Sequence, residues 1–246
     1  MAETADLTAH AVHLATGDVP GPDWFGRALA RFRAEIGDRD YPCYFGRRAL
    51  QLDELYCSYA EGGELERLAG QLREFLDFAA TQPNRRNVFA AFFPPEEGRK
   101  EHDHYERSFW DVLQYLHDHD ARPWPEDIPG RPEEPEWEFS FHGTAMFVFA
   151  AAPTHRMRRS RNLGPGMLML FQPRRVFRGI EGGTPAGSAA RRRIRDKLLT
   201  WDSIESHPVM GSYGDPSNFE WKQYFIADTA DPSGETCPLR MHQPVS

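Results

Sequence analysis

The chain has 246 residues and carries 29 Lys plus Arg against 37 Asp plus Glu, a net charge of −8 that disfavours sequence-independent binding to nucleic-acid backbones. A hydrophobic share of 40%, with 17 Phe and 6 Trp, excludes a disordered chain and suffices for a sizeable core without covalent staples. Cys43, Cys57 and Cys237 make no metal spacing and leave one thiol over in any disulfide scheme, as in a reducing compartment.

The N-terminal stretch has no basic start and no unbroken apolar run, so it does not read as a signal peptide. No segment approaches the roughly 18 apolar residues of a membrane span. The expectation is a soluble cytoplasmic protein whose residues 1–21 are flexible. Trp24, Phe25, Ala28, Leu29, Phe32 and Ile36 then share a helical face, with Pro22 suited to the start and Gly37 to the exit. A loop over DRDYPCYFGRR is expected next, followed by a strand at 55–60 and a turn at Gly62-Gly63. Leu65, Leu68, Leu72, Phe75, Leu76 and Ala79 predict an amphipathic helix over 64–80, and NVFAAFF (87–93) a buried strand.

Tyr105, Phe109, Leu113 and Leu116 define the next helix, 101–117. A proline-rich crossover follows at 121–136, either a functional loop or a wrap over the surface. WEFSF and TAMFVFAA around His142-Gly143 predict a hairpin, and 166–173 another strand. Residues 186–200 read as a basic helix, 220–228 as a strand or short helix, and 231–246 as a flexible tail. Hairpins and isolated strands between helices, without βαβ alternation, predict one α+β domain over 22–230 with a mainly antiparallel or mixed sheet flanked by helices.

The dinucleotide, P-loop, zincin, serine-elbow and C-x-x-C signatures are absent. The triplets His102-Asp103-His104 and His117-Asp118-His119 could serve a non-haem metal enzyme. However, they lie 15 residues apart near opposite ends of one helix, roughly 22 Å at 1.5 Å per residue. C-x-x-C-H is missing, so any haem is non-covalent.

Tyr41-Pro42-Cys43, SFWDVLQYLHDHD with WPEDIP, WEFSFHGTAMFV, PTHRMRRSRN…LMLFQPRRVF, IRDKLLTWDSIESHPVMGSYGD and EWKQYF together resemble the YqcI/YcgG family, from about residue 40 to 228. The resemblance implies a haem-dependent monooxygenase of specialised metabolism, an N-oxygenase acting on amine, guanidine or aminoimidazole nitrogens of small nitrogen-rich substrates. It would bind haem b, use O2 or peroxide, and draw electrons from an external donor, since no flavin or nicotinamide fingerprint is present. A homodimer is left open, and a haem-binding sensor or carrier without turnover is the alternative within the same resemblance.

Within it, His155 is the first candidate for the axial ligand, at the end of the apolar run AMFVFAA; Cys43, His142 and His117 are the alternatives, with His207 also considered. Arg156, Arg159 and Arg161, with the neighbouring Arg158, and Arg174 and Arg175 are expected around the propionates. Trp110, Trp124, Trp137 and Phe141 are candidates for packing on porphyrin or substrate. Glu220 and Asp202 are carboxylates suited to a guanidinium-like group, with no spacing argument to place them.

Overall fold

Short β-prone runs that lack polar alternation need cover on both faces, and two such runs lie inside a sheet. In the computed structural model, which describes residues 12–61, 63–179, 184–211, 215–231 and 234–241, β2 (Leu55–Tyr59) and β3 (Val88–Phe92) pair in parallel. Their crossover is α3 (Leu65–Ala80). β1 (His13–Leu14) adds to the free side of β2, and β6 (Leu168–Pro173), β5 (Thr144–Ala151) and β4 (Phe139–Phe141) follow β3 in antiparallel pairing. The order is β1-β2-β3-β6-β5-β4. With α1 (Asp23–Gly37), α2 (Tyr44–Gln51), α4 (His102–Asp118) and α5 (Pro185–Trp201), this is the expected α+β domain with a mixed sheet.

Side chains alternate across a strand, and the alternation builds a core on each face. Phe89 and Ala91 of β3 meet α3 and α4, whose Leu72, Phe75, Phe109 and Leu113 are fully buried. Val88, Ala90 and Phe92 face the other way, onto Phe25, Leu29 and Phe32 of α1. The hairpin turns where expected: His142 and Gly143 adopt φ of 54° and 69°, the left-handed pair that a two-residue loop between twisted strands requires.

Three segments differ from the sequence expectation, and the proline-rich crossover takes one of its two expected forms. The expected loop after residue 38 contains α2, which buries only Ala49 and so leaves no helical periodicity to read. Residues 12–21 are tied down by β1, by Ala15 N–H on Leu55 O at 2.7 Å and by the Arg33 guanidinium on Gly17 O at 2.7 Å. The proline-rich crossover wraps the surface: Trp124 stacks on the fully buried Trp137 at 6.0 Å and donates to Ile128 O. Past Asp231, residues 234–241 dock on α4, with Leu239 buried and Arg240 N–H donating to Gln114 Oε1 at 2.8 Å. Gly62 and residues 1–11, 180–183, 212–214, 232–233 and 242–246 of the segments read above lie outside the described residues. Among the described residues no helix is long and apolar enough to cross a membrane.

Candidate functional site

Alternation along β5 sends Met146, Val148 and Ala150 into the core beside α4 and turns Phe147 and Phe149 the opposite way. There they line a cavity of about 260 Å³, together with Gln172 of β6. α5 roofs it through Ala190, Ile194 and Leu198, an i, i+4 apolar stripe inside an otherwise basic helix. The remaining walls are Tyr41, Cys43 and Phe45 at the start of α2, Ser160 and Arg161, Phe177, and Glu220, Gln223 and Ile226. This last segment lies along the edge of β5 beyond β4, held by Ala150 N–H on Tyr224 O at 3.0 Å.

Cys43 is the N-cap of α2. Its sulfur accepts from Gly46 N–H at 3.4 Å; burial pushes the thiol up, against the opposing pull of the α2 N-terminal amides and Arg161. Asp202 receives Ser160 N–H at 2.7 Å and the Ser160 hydroxyl at 2.8 Å, and burial raises its carboxyl nonetheless. Glu220 is 3% exposed and is held by both of its oxygens on Arg174 Nη2, at 2.8 and 2.7 Å.

The arginine run does not present itself to a ligand as expected. Arg161 spends its fork on the carbonyls of Ala150, Tyr224 and Gln223 at 2.9–3.0 Å and lies on the Phe149 ring. Arg158 is 1% exposed and donates to the carbonyls of Ala227, Glu205 and Thr229. Both line the cavity, but as staples between the chain after β5 and the chain after α5. Arg159 pairs with Glu35 at 3.0 Å and covers Trp201, away from the cavity wall. Arg156 is exposed and is held through its backbone N–H by Asp228. Arg174 bridges Glu138 and Glu220; Arg175, in the same turn, is not on the cavity wall. Arg158 and Arg161 are therefore internal braces, because buried carbonyls at chain crossings need donors and a guanidinium supplies several at once.

His155 is 1% exposed and lies off the cavity wall. Its Nδ1 faces Ala152 O at 3.2 Å and its Nε2 faces Ile226 O at 3.0 Å, with His102 edge-on at 4.8 Å. Burial drives its imidazole down to about 3. His142 is engaged with Asp77 at 2.9 Å, and His117 stands edge-on to Trp124. His207 faces Asp231 O at 2.9 Å, and of the five ligand candidates Cys43 alone lines the cavity. The paired histidine triplets stay apart: His102 contacts Thr154, His104 contacts Glu96, and His119 stacks on Tyr115. Among the described residues no three metal-ligating side chains gather. Trp110, Trp137 and Phe141 are core residues.

Sequence reasoning did not single out Tyr41, Phe147, Phe149 and Gln172, or the α5 stripe. The strand alternation and the Ala190–Ile194–Leu198 spacing were the available signals. Glu220 and Asp202, which had no spacing argument, share the cavity wall.

Comparison with known proteins agrees with the extended segments quoted above. The chain is 36% identical over 215 residues to YcgG of Bacillus subtilis (84% of this chain, 85% of the relative) and 33% identical over 226 residues to YqcI of the same organism (89% and 88%). It is 28% identical over 223 residues to DcsA of Streptomyces lavendulae (88% and 84%), named as a candidate N(omega)-hydroxy-L-arginine synthase. No solved structure matches the chain. A profile of the YqcI/YcgG family matches residues 32–240, and the chain belongs to that family.

Proposed function

We propose that the protein is a haem-dependent N-oxygenase, placing one oxygen from O2 or peroxide on an amine, guanidine or aminoimidazole nitrogen of a small metabolite. The observation that carries the reading is that Cys43 shares one apolar cavity with two buried carboxylates, Glu220 and Asp202. The N-hydroxylation named for DcsA, on a protein similar along most of both chains, points the same way.

The residues present fit a haem held by a thiolate. Cys43 would supply the sulfur, with the α2 amides and Arg161 stabilising its charge. His155 would have to give up the one N–H bond its neutral ring makes to a backbone carbonyl and cross to the cavity, which makes it the weaker candidate. Phe147, Phe149 and Phe177 offer ring faces for a flat apolar group, and Arg191 and Arg195 on the α5 wall bring cations toward its carboxylates. Haem bound there would supply the iron that activates O2 or peroxide. Asp202 would attract and orient a cationic nitrogen group, and the aromatic walls would exclude water from it. Electrons come from a separate reductant.

The test is the absorption spectrum of the protein expressed with a haem precursor, ferric and then ferrous with CO. A Soret band with the long-wavelength ferrous–CO band of thiolate ligation, lost in Cys43→Ser, is expected. An imidazole-type band unaffected by Cys43→Ser would refute the ligand, and no Soret band after haem reconstitution would refute the reading.

A further inference from the structure

α5 is a basic helix in an acidic chain. Over Pro185–Trp201 it carries Arg191, Arg192, Arg193, Arg195 and Lys197 against one acid, Asp196, while the whole chain stands at −8. Its apolar stripe, Ala190–Ile194–Leu198, faces the cavity, so the opposite side of the helix meets solvent. There the exposed Arg192 and Arg195 lead at spacings of three and four to Leu199, which is 56% exposed.

A second set of cations stands beside the first. Tyr44, at the start of α2, is 50% exposed; the Arg47 guanidinium lies 5.9 Å from its ring centre, and Arg48 Nη1 donates to its hydroxyl at 3.5 Å. Arg39, between α1 and α2, joins the two sets. Its carbonyl accepts Lys197 Nζ at 2.7 Å and Arg47 Nη1 at 2.8 Å, so α5 and α2 form one continuous surface. The carboxylates of these segments are Asp38, Asp40 and Asp196, and Asp40 pairs with Arg39 at 3.7 Å, which leaves the surface positive. Lys197, Arg47 and Arg195 each lean on a backbone carbonyl and are spread along the face, an arrangement suited to an extended negative surface and not to one small anion.

This face is the outside of the cavity wall. Cys43 lines the cavity and the next residue, Tyr44, is exposed; Leu198 lines it and Leu199 is exposed. A single helix, about 10 Å across, separates the patch from the cavity. We propose that α5 and α2 dock a small acidic one-electron carrier protein of the ferredoxin kind, with Arg192, Arg193 and Arg48 around Tyr44 and Leu199. What the partner delivers rests on the oxygenase reading. N-oxygenation with O2 takes up two electrons and two protons, leaving one oxygen on nitrogen and the other in water. Each docking oxidises one reduced carrier by one electron, so two dockings serve one turnover, and solvent supplies the protons. Electron-transfer partners bury little area and are steered by charge, which a basic rim with two exposed apolar side chains provides.

The probe is an acidic [2Fe–2S] ferredoxin, and its binding to the full chain is measured by titration calorimetry without any need for haem. At about 20 mM salt, Arg192→Glu/Arg193→Glu is expected to weaken binding at least about tenfold and Leu199→Ser about threefold, and about 0.5 M salt to abolish it. Arg99→Glu, an exposed arginine outside α5 and α2, should leave it unchanged. A ferredoxin that does not bind the wild type, or binds Arg192→Glu/Arg193→Glu equally well, overturns the surface. Tighter binding of a single-stranded RNA, lost in the same variant, overturns it in favour of nucleic acid. For the electron route, turnover with reduced ferredoxin and O2 is expected to fall at least about tenfold in Arg192→Glu/Arg193→Glu, while turnover with hydrogen peroxide, which needs no donor, stays at the wild-type rate. Equal losses in both overturn the route. Ferredoxin binding that depends on Arg192 and Arg193 in a protein that takes up no haem would refute the oxygenase reading and leave the docking surface standing.

Discussion

Arg161 separates two accounts of the arginine run, because its charge and its shape can be removed separately. Arg161→Lys keeps a positive charge beside the cavity but loses the planar fork that serves Ala150, Tyr224 and Gln223. Charge-assisted hydrogen bonds contribute roughly 1.5–3 kcal/mol each, and water from the adjacent cavity can re-solvate part of what is exposed, so about 1 kcal/mol per carbonyl is a reasonable working figure. Three carbonyls then give a loss of about 3 kcal/mol, or a fall in Tm of about 6–12 °C for a domain of this size. Scanning calorimetry at neutral pH on the wild type, Arg161→Lys, Arg161→Ala and an Arg159→Ala control reads it directly. The Arg159–Glu35 pair is more than half exposed on the arginine side and should contribute about 1 kcal/mol or less. If Arg161→Lys melts within about 2 °C of the wild type yet weakens binding of a carboxylate ligand or haem, the bracing account is refuted and Arg161 returns to the ligand.

Acid should destabilise the protein. Burial lowers the imidazoles of His102, His155 and His207 in the folded state, so their contribution is present above about pH 6.5 and is lost as pH falls, down to about 3 for His155. Glu220 is raised and works in the opposite sense, its contribution being present at low pH and lost as pH rises through about 7. The lowered imidazoles outnumber Glu220, so urea midpoints should fall between about pH 6.5 and about pH 5, and a flat series would contradict it. Gly166→Ala should cost more than about 2 kcal/mol, because a Cβ there would sit on the Phe93 carbonyl oxygen and 2.8 Å from that of Pro94, prising β6 from the end of β3. A variant with an unchanged denaturation midpoint would mean that this close approach is not present in solution.

Elements whose periodicity matches their burial were legible: α1, α3, α4 and the β4–β5 hairpin appear where spacing places them. α2 was not, because it buries a single alanine and is capped by a cysteine, which the usual Ser/Thr/Asp/Asn signature misses. The docking of 234–241 was also hidden, since it rests on Leu239 and on Gln114 and Arg240 meeting across 126 residues. In the site, residue types were read more successfully than roles. A run of arginines looks the same whether it faces a dianion or braces chain crossings. Only the partner carbonyls distinguish the two cases, and all but that of Ala150 belong to residues 47 to 71 positions downstream. Cys43 drew attention through its place in a resembling segment, and its position on the cavity wall depends on a helix the sequence did not reveal.

The cavity is assembled from chain regions that run from Tyr41 to Ile226, separated by 226 − 41 = 185 positions. Bringing such distant points together costs about 4–5 kcal/mol in loop-closure entropy, whereas β2–α3–β3 is a local unit that closes over a few dozen residues. Contacts of long sequence separation form late, so the half of the sheet carrying β2 and β3 can form before the other half has a cavity wall. A molecule that fills the cavity therefore fastens the last part of the fold to the first. Its binding energy adds to the stability of the whole chain and not to one loop, and loss of the segment at 220–226 would unmake the cavity while leaving the β2–α3–β3 unit intact.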